Sequence, residues 1–417
     1  MLPNQKTQDA VARAEDVARA SYGRLLAILA AKDGDIESAE DCLSEAFAQA
    51  LRTWPESGVP SNPEAWLLSV ARNRRHDVFR SATHRLSDPL DDVARSAALA
   101  VMHELDPDAI PDRRLALLFV CAHPAIDAAV RTPLMLQTVL GFDADQVARA
   151  FAIPPATMSQ RLVRAKRRIR DAHIPFVVPD RSQMPQRLTP VLEAIYGAYA
   201  IDFPLVAGTS TRDSLAEEAH FLATTLAELL PSEPEALGLA ALISLSLARR
   251  PARGSADDFV PLDEQDTSLW DAGLIVLGER YLRDARALQR TGRFQIEAAI
   301  QSVHCARVTL GFTEWRALLT LYGALLSIAP TLGARVAYAA ALGRVDGPPA
   351  GLVALDTMTD DAAQRFQPAW ATRAHLLAEA GRVDQALAAY DRAISLTTET
   401  GPRRYLERRR ARLNGET

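Results

Sequence analysis

Between Gly141 and Arg170 the chain carries two helical periodicities separated by a turn and a proline pair, and few folds accommodate that combination. Asp143 is placed to cap a short helix in which Val147, Ala148 and Phe151 recur at core spacing. A tight turn follows at Ala152 and Ile153, and Pro154-Pro155 supply the fixed φ that suits the first turn of a second helix. At about 100° per residue, Met158, Leu162, Ala165 and Ile169 fall on one apolar stripe, while Ala156, Thr157, Gln160, Arg164 and Arg167 point the opposite way. This pattern predicts a helix-turn-helix. The second helix holds Arg161, Arg164, Lys166, Arg167, Arg168 and Arg170 and no acidic residue between Pro155 and Arg170. It combines phosphate attraction with side chains short enough to probe base edges.

The rest of the chain is built for helices. In 417 residues the aromatic fraction is only 6%, and no valine- or isoleucine-rich alternating run of strand length occurs, so an all-α fold is expected. Hydrophobic residues make up 48%, enough for buried cores, and the length suggests about two or three domains. The net charge of -5 is unevenly spread, with acidic stretches near 33–45 and 88–112 and basic ones near 72–85 and 161–170. There is no signal-peptide core at the N-terminus and no apolar run of transmembrane length, which predicts a cytoplasmic protein without a membrane partner. Cys42, Cys121 and Cys305 are too few and too scattered for a disulfide framework.

Residues 8–83 read as three or four helices, among them an amphipathic stretch from Ile36 to Trp54. A further helix opens at Asn62-Pro63, a cap followed by proline at the first helical position, and runs to about Arg80. Residues 84–112 have linker composition, broken by Pro89, Pro107 and Pro111. Helices from Leu115 to Val120 and from Pro133 to Leu140 precede the helix-turn-helix in a segment spanning 113–172. Beyond the proline-rich boundary at 174–185, helical patterns continue through 186–310, and 311–417 carries an internal repeat. Leu342-Gly-Arg-Val-Asp346 recurs 38 residues later as Ala380-Gly-Arg-Val-Asp384. Trp370, Ala374, Ala386, Tyr390 and Ala393 match tetratricopeptide spacing, while the first copy carries a two-residue excess at Gly347-Pro348-Pro349.

Three blocks together resemble a bacterial RNA polymerase sigma factor of the extracytoplasmic-function type: Ala39 to Phe47, Ala65 to Asn73, and the helix-turn-helix. The resemblance implies that the first block grips the β′ coiled coil of core RNA polymerase, with further contacts to the β subunit. It implies that the second block reads the -10 promoter element and the third the -35 element. For the polymerase contact, Glu40, Asp41 and Glu45 form an acidic rim, with Leu43 and Phe47 as an apolar anchor on the other side. Ser44 stands where the family usually has glutamine. For the -10 element the candidates are Ser61 and Asn62, with Glu64 in the same loop, and Arg72, Asn73, Arg75 and Arg80 on the helix. Trp66, spaced with Val70, fits a core position better than a base-stacking one. For the -35 element they are Ala156, Thr157, Gln160, Arg161, Arg164 and Arg167. The linker carboxylates Asp88, Asp91, Asp92, Glu104, Asp106, Asp108 and Asp112 either mimic nucleic acid in the polymerase channel or form a solvated tether. The repeats and the run from Asp263 to Asp271 resemble a subgroup with a long helical C-terminal extension, read as a regulatory or partner-binding module.

An enzyme is not expected. No phosphate-binding Gly-Lys loop, nucleophile elbow or zinc-protease motif occurs, and no cofactor is implied. Cys121 and His123 lack a second ligand pair nearby, and His304-Cys305 reads as core, so no metal site is expected. Asp263 to Asp271 reads as a cap for the helix near Trp270 or as a dock onto the N-terminal segments. The competing reading is a helix-turn-helix regulator whose N-terminal segment only packs and whose repeats sense a ligand or a protein.

Overall fold

The computed structural model describes residues 13–14, 21–30, 35–83, 113–151, 153–172, 174, 183–200, 209–254 and 259–415. Among these every regular element is a helix, as the composition predicts. The acidic linker read at 84–112 lies outside the described residues. The chain forms two compact units, the first of residues 1–203 with 210–229 and the second of 204–209 with 230–417. That break differs from the boundary near 186 read from the sequence, because two helices of the extension belong to the first unit.

Unit 1 begins with α1 (21–30), α2 (Ile36–Ser57) and α3 (Pro63–Thr83). Asp35 caps α2 by accepting from the Ser38 amide at 3.0 Å, and Asn62 caps α3 by accepting from the Ala65 amide at 3.0 Å. Leu43, Ala46, Ala50 and Trp54 of α2 and Leu67 and Ala71 of α3 are buried. Trp54 and Trp66 meet edge to face with ring centroids 5.6 Å apart, so Trp66 is a packing residue.

Next come α4 (Arg113–Cys121), α5 (Ala128–Thr138), α6 (Ala144–Ala150) and α7 (Pro155–Asp171). Helix α5 starts five residues before Pro133, the start read from the sequence, because Asp127 accepts from the Ala129 amide and founds the first turn there. From Leu117 to Cys121, α4 is inaccessible to solvent. Its cover includes α8 (Met184–Ala200), where Arg187 donates to the Phe119 carbonyl at 3.4 Å. Arg114 joins α4 to α9 (Thr209–Leu229) through Glu218 at 2.6 Å and lies over the Phe221 ring.

Unit 2 is organised around α10 (Pro234–Ala248), in which every residue but Glu235 is buried. A helix apolar on all sides must be surrounded, and α11 (Ala272–Ala287) and α12 (Arg293–Cys305) pack on it. Glu235 accepts from the Phe294 and Gln295 amides at 2.9 and 3.3 Å, capping α12 from outside its own sequence. Asp271 accepts from the Leu274 amide at 3.0 Å, which is the capping role expected near Trp270. Helices α13 (Trp315–Ile328), α14 (Leu332–Asp346), α15 (Pro348–Asp356), α16 (Gln367–Glu379), α17 (Val383–Leu396) and α18 (Thr400–Leu413) then follow, consecutive pairs packing together.

The two copies of the repeat motif do different work. Gly381 has φ +72° and ends α16, whereas its counterpart Gly343 lies inside α14, where an added Cβ would sit 2.5 Å from Leu376 Cδ2. The first copy turns four residues later, at Gly347 with φ +93°. Of the extra residues read at Gly347-Pro348-Pro349, Gly347 is therefore the turn, and the two prolines open α15. Ala374, Ala386, Tyr390 and Ala393 are all buried in the shared core of this region.

His304 is buried in unit 2, and burial, reinforced by Arg249 and Arg307, pushes its pKa down to about 3. Its imidazole stays neutral when folded but titrates near 6.5 when unfolded. Its contribution is therefore complete above pH 6.5 and is lost as pH falls toward 3, by about 1.4 kcal/mol per pH unit. We expect the stability of unit 2, followed by hydrogen exchange of α10 and α12, to decline more steeply in the wild type than in His304→Gln between pH 6.5 and 4. Equal slopes would refute this.

Candidate nucleic-acid interface

The two helices α6 and α7, where the sequence predicts a helix-turn-helix, form as their local sequence dictates. Asp143 and Gln146 form a reciprocal capping box, with the Gln146 amide donating to Asp143 Oδ1 at 2.7 Å and the Asp143 amide donating to Gln146 Oε1 at 2.9 Å. Pro155 occupies the first position of α7, and no side chain caps that end. Met158, Leu162, Ala165 and Ile169 are buried as the inner stripe. Ala156, Thr157, Gln160, Arg161, Arg164 and Arg167 are all exposed, so the outer face presents three guanidiniums, an amide and a hydroxyl together. The open amides of the first turn lie beside them and suit an anionic oxygen.

Lys166 is set apart from the five arginines of α7. It is only 9% exposed and donates to both carboxylate oxygens of Glu40 on α2, at 2.8 and 2.6 Å. Arg170 reaches Glu37 of the same helix at 3.3 Å. Burial pushes the Glu40 carboxyl above its usual range, and the Lys166 ammonium opposes that rise. The sequence contained a signal for this contact. Lys166 lies four residues after Leu162 and three before Ile169, which puts it on the apolar stripe.

The acidic rim of α2 is thus split. Glu40 faces α7, whereas Asp41, Ser44 and Glu45 are exposed, with Glu45 in a surface pair with Arg74 at 3.0 Å. A pair so exposed contributes about 0–1 kcal/mol and yields readily to another partner. Leu43 is fully buried, so it is part of the core and not the anchor read from the sequence. Phe47 is half-buried beside Tyr22, with centroids 6.4 Å apart. Four residues on, Leu51 is 44% exposed and supplies apolar surface on the outer face, which the sequence reading missed.

The start of α3 holds Ser61 and Asn62 exposed, with the Asn62 carbonyl oxygen engaged as a cap. Glu64, in the first turn of α3, accepts from Ser21 and pairs with Arg24 at 3.5 Å. Arg72 and Asn73 are exposed. Arg75 departs from the expected DNA-facing set: it is 6% exposed and donates to the Leu29 carbonyl, bracing α3 against α1. Arg80 belongs to α3, and its side chain lies outside the described residues. No group of three or more potential metal ligands occurs among the described residues, and no described helix is long and apolar enough to cross a membrane.

Comparisons with known proteins bear on both ends of the chain. The profile of Sigma-70 region 2 matches residues 17–85, and a family of unknown function, DUF6596, matches residues 187–286. An uncharacterized protein of Rhizobium meliloti is 34% identical over 381 residues, covering 89% of each chain. A probable RNA polymerase sigma factor, RfaY, of Xanthomonas campestris is 28% identical over 165 residues, 36% of this chain and 40% of its own length. A probable ECF RNA polymerase sigma factor, SigI, of Mycobacterium tuberculosis is 30% identical over 145 residues, 34% of this chain and 49% of its own. No solved structure matches.

The buried pair can be tested directly. Glu40→Gln leaves the Lys166 ammonium without its counter-charge and should destabilise the contact between α2 and α7 by up to about 3–5 kcal/mol. The double variant Glu40→Gln/Lys166→Met should cost less than the sum of its singles. Hydrogen exchange on α2 and α7 measures both, and strict additivity would mean the pair carries no coupling.

Proposed function

The chain belongs to the extracytoplasmic-function RNA polymerase sigma factors, in a form with a C-terminal extension, and from that membership we propose a division of labour among its helices. Helix α2 docks on core RNA polymerase, the start of α3 reads the -10 promoter element, and α7 reads the -35 element. The polymerase-facing set is Asp41 and Glu45, with Phe47 and Leu51 as the apolar part, on the β′ coiled coil, and the β subunit completes the contact. Glu40 joins that set only when Lys166 releases it. At the -10 element Ser61, Asn62, Arg72, Asn73 and Arg80 are the working side chains. Arg75, committed to the Leu29 carbonyl, is a brace. Thr157, Gln160, Arg161, Arg164 and Arg167 form the -35 reader with Ala156 beside them.

The observation that carries this reading is the sorting of charge on α7. Three arginines, one glutamine and one threonine face outward with no carboxylate among them, while the inward Lys166 is neutralised by Glu40. A merely solvated helix has no need of such separation, whereas a reader of a phosphate-lined groove does.

Geometry then requires a change of shape. Elements named for positions -10 and -35 lie about 25 base pairs apart, on the order of 85 Å of duplex at about 3.4 Å per pair. Helices α3 and α7 both pack on α2, which sets their axes about two helix diameters apart, or roughly 20 Å. Even adding their lengths of about 30 Å, they cannot reach both elements of one promoter. The α2–α7 contact, and with it Lys166–Glu40, opens before promoter binding, with the chain at 84–112 as tether. Unit 2, with tetratricopeptide-like helix pairs, acts as the regulatory or partner-binding module.

Transcription in vitro with purified core polymerase tests the proposal. A promoter-specific transcript is expected, and Gln160→Ala or Arg164→Ala should weaken it by about 1–3 kcal/mol in a way that depends on the -35 sequence. Dyes at positions 72 and 161 should move apart when core polymerase and promoter are added. DNA binding without binding to core would instead indicate a plain helix-turn-helix regulator.

A further inference from the structure

Promoter recognition makes no use of a cleft of about 280 Å³ in unit 2, where α14, α16, α17 and α18 face the end of α12. The loop around 259–265 bridges it. Arg307 holds that loop by donating to the carbonyls of Leu262, Asp263 and Gln265, and Phe259 meets Tyr405 edge to face at 5.6 Å. Asp263 therefore works inside unit 2, pairing with Arg344 at 3.4 Å.

Two cations line the cleft and differ in their partners. Arg344 is neutralised by Asp263 and by Glu379 at 3.2 Å, and it lies over the Trp315 ring. Arg409 has only neutral hydrogen-bond partners among the described residues, His375 Nδ1 at 3.3 Å and the Tyr390 hydroxyl. His375 accepts through Nδ1, so its other nitrogen carries the proton and faces Glu379 at 3.3 Å. This chain fixes the Arg409 fork in one orientation and leaves several of its N–H donors uncommitted. The walls are aromatic, Trp315 and Tyr405 being partly exposed to the cleft. His304 also lines it, 8% exposed, and its Nδ1 has no hydrogen-bond partner. An orphaned buried nitrogen in a cleft is a group waiting for a partner.

We infer that this cleft binds a small aromatic monocarboxylate, its carboxylate on Arg409, its ring between Trp315 and Tyr405, and a polar substituent toward His304. Glu264 acts on Arg409 from a distance, but no carboxylate is paired with it directly; a guanidinium so placed suits a monoanion, and its planar fork matches a carboxylate. A dianionic phosphate would meet the carboxylates of Asp263, Glu264 and Glu379 with only Arg409 not directly paired to offset them. The volume fits a body of one or two rings at the lower end of small-molecule sites. The same carboxylate chemistry could be offered by a peptide terminus, but the bridging loop favours a compact free acid.

Calorimetric titration of the full chain with 4-hydroxyphenylacetate, its primary amide, and the peptide Gly-Gly-Tyr as free acid tests the assignment without polymerase or DNA. Its outcome is therefore independent of the promoter-binding proposal. We expect saturable binding of the acid and at least about 10-fold weaker binding of the amide. Arg409→Gln should reduce the acid to the level of the amide, and Arg412→Gln on the same helix should leave it unchanged. Three results would overturn the inference: no saturable binding of the acid by about 10 mM, equal affinity for acid and amide, or binding of the peptide in preference to the free acid. The comparison of acid with amide on the wild-type chain stands even where Arg409→Gln perturbs folding.

Discussion

A lysine ammonium against a carboxylate, at the crossing of α2 and α7, decides how unit 1 is arranged. Lys166 and Glu40 are 126 residues apart in sequence and bonded at 2.6 and 2.8 Å. Neither charge is tolerable alone in so little water, since breaking a buried pair strands the partner. The pair therefore acts as a conditional bond. It holds while the two helices lie together and gives no stability once they part and water solvates both groups.

The same logic separates rigid from exchangeable contacts elsewhere in unit 1. Arg75, buried on the Leu29 carbonyl, is structural, whereas Glu45 and Arg74 form an exposed pair that solvent already weakens. The exposed part of α2 is consequently narrower than the acidic rim alone suggests. It consists of Asp41, Ser44 and Glu45 with Leu51 alongside, an apolar contact framed by charge. In unit 2 the rigid part is α10, enclosed by α11 and α12 and joined to α12 through Glu235. The helix pairs that follow leave a cleft because their small residues allow close crossings on one side while large aromatics hold the other side open.

Much of this was legible from local sequence. The caps at Asn62 and Asp143, the proline starts of α3 and α7, and the inward stripe Met158, Leu162, Ala165 and Ile169 all obey rules spanning four residues or fewer. Misreadings arose where one pattern serves two geometries. Gly343 and Gly381 occupy equivalent places in a repeat, yet one permits a helix crossing and the other a turn. Pro133 looked like a helix start because proline favours first turns, but Asp127 had already begun the helix. Leu43 and Phe47, four apart on one helix, proved to be respectively core and half-buried surface, a distinction set by what packs against each.

By itself the sequence determined that the chain is helical, where α6 and α7 lie, and which face of α7 points outward, because periodicity and capping are local. Tertiary structure alone decided that Glu40 faces Lys166, that Arg75 is a brace, and that α8 and α9 join unit 1. Those outcomes depend on which distant charge or apolar surface meets each side chain, and burial converts the same residue type from a solvated contact into a committed one. A lysine among five arginines is indistinguishable from them in sequence charge, and only the loss of water around it gives it a different role.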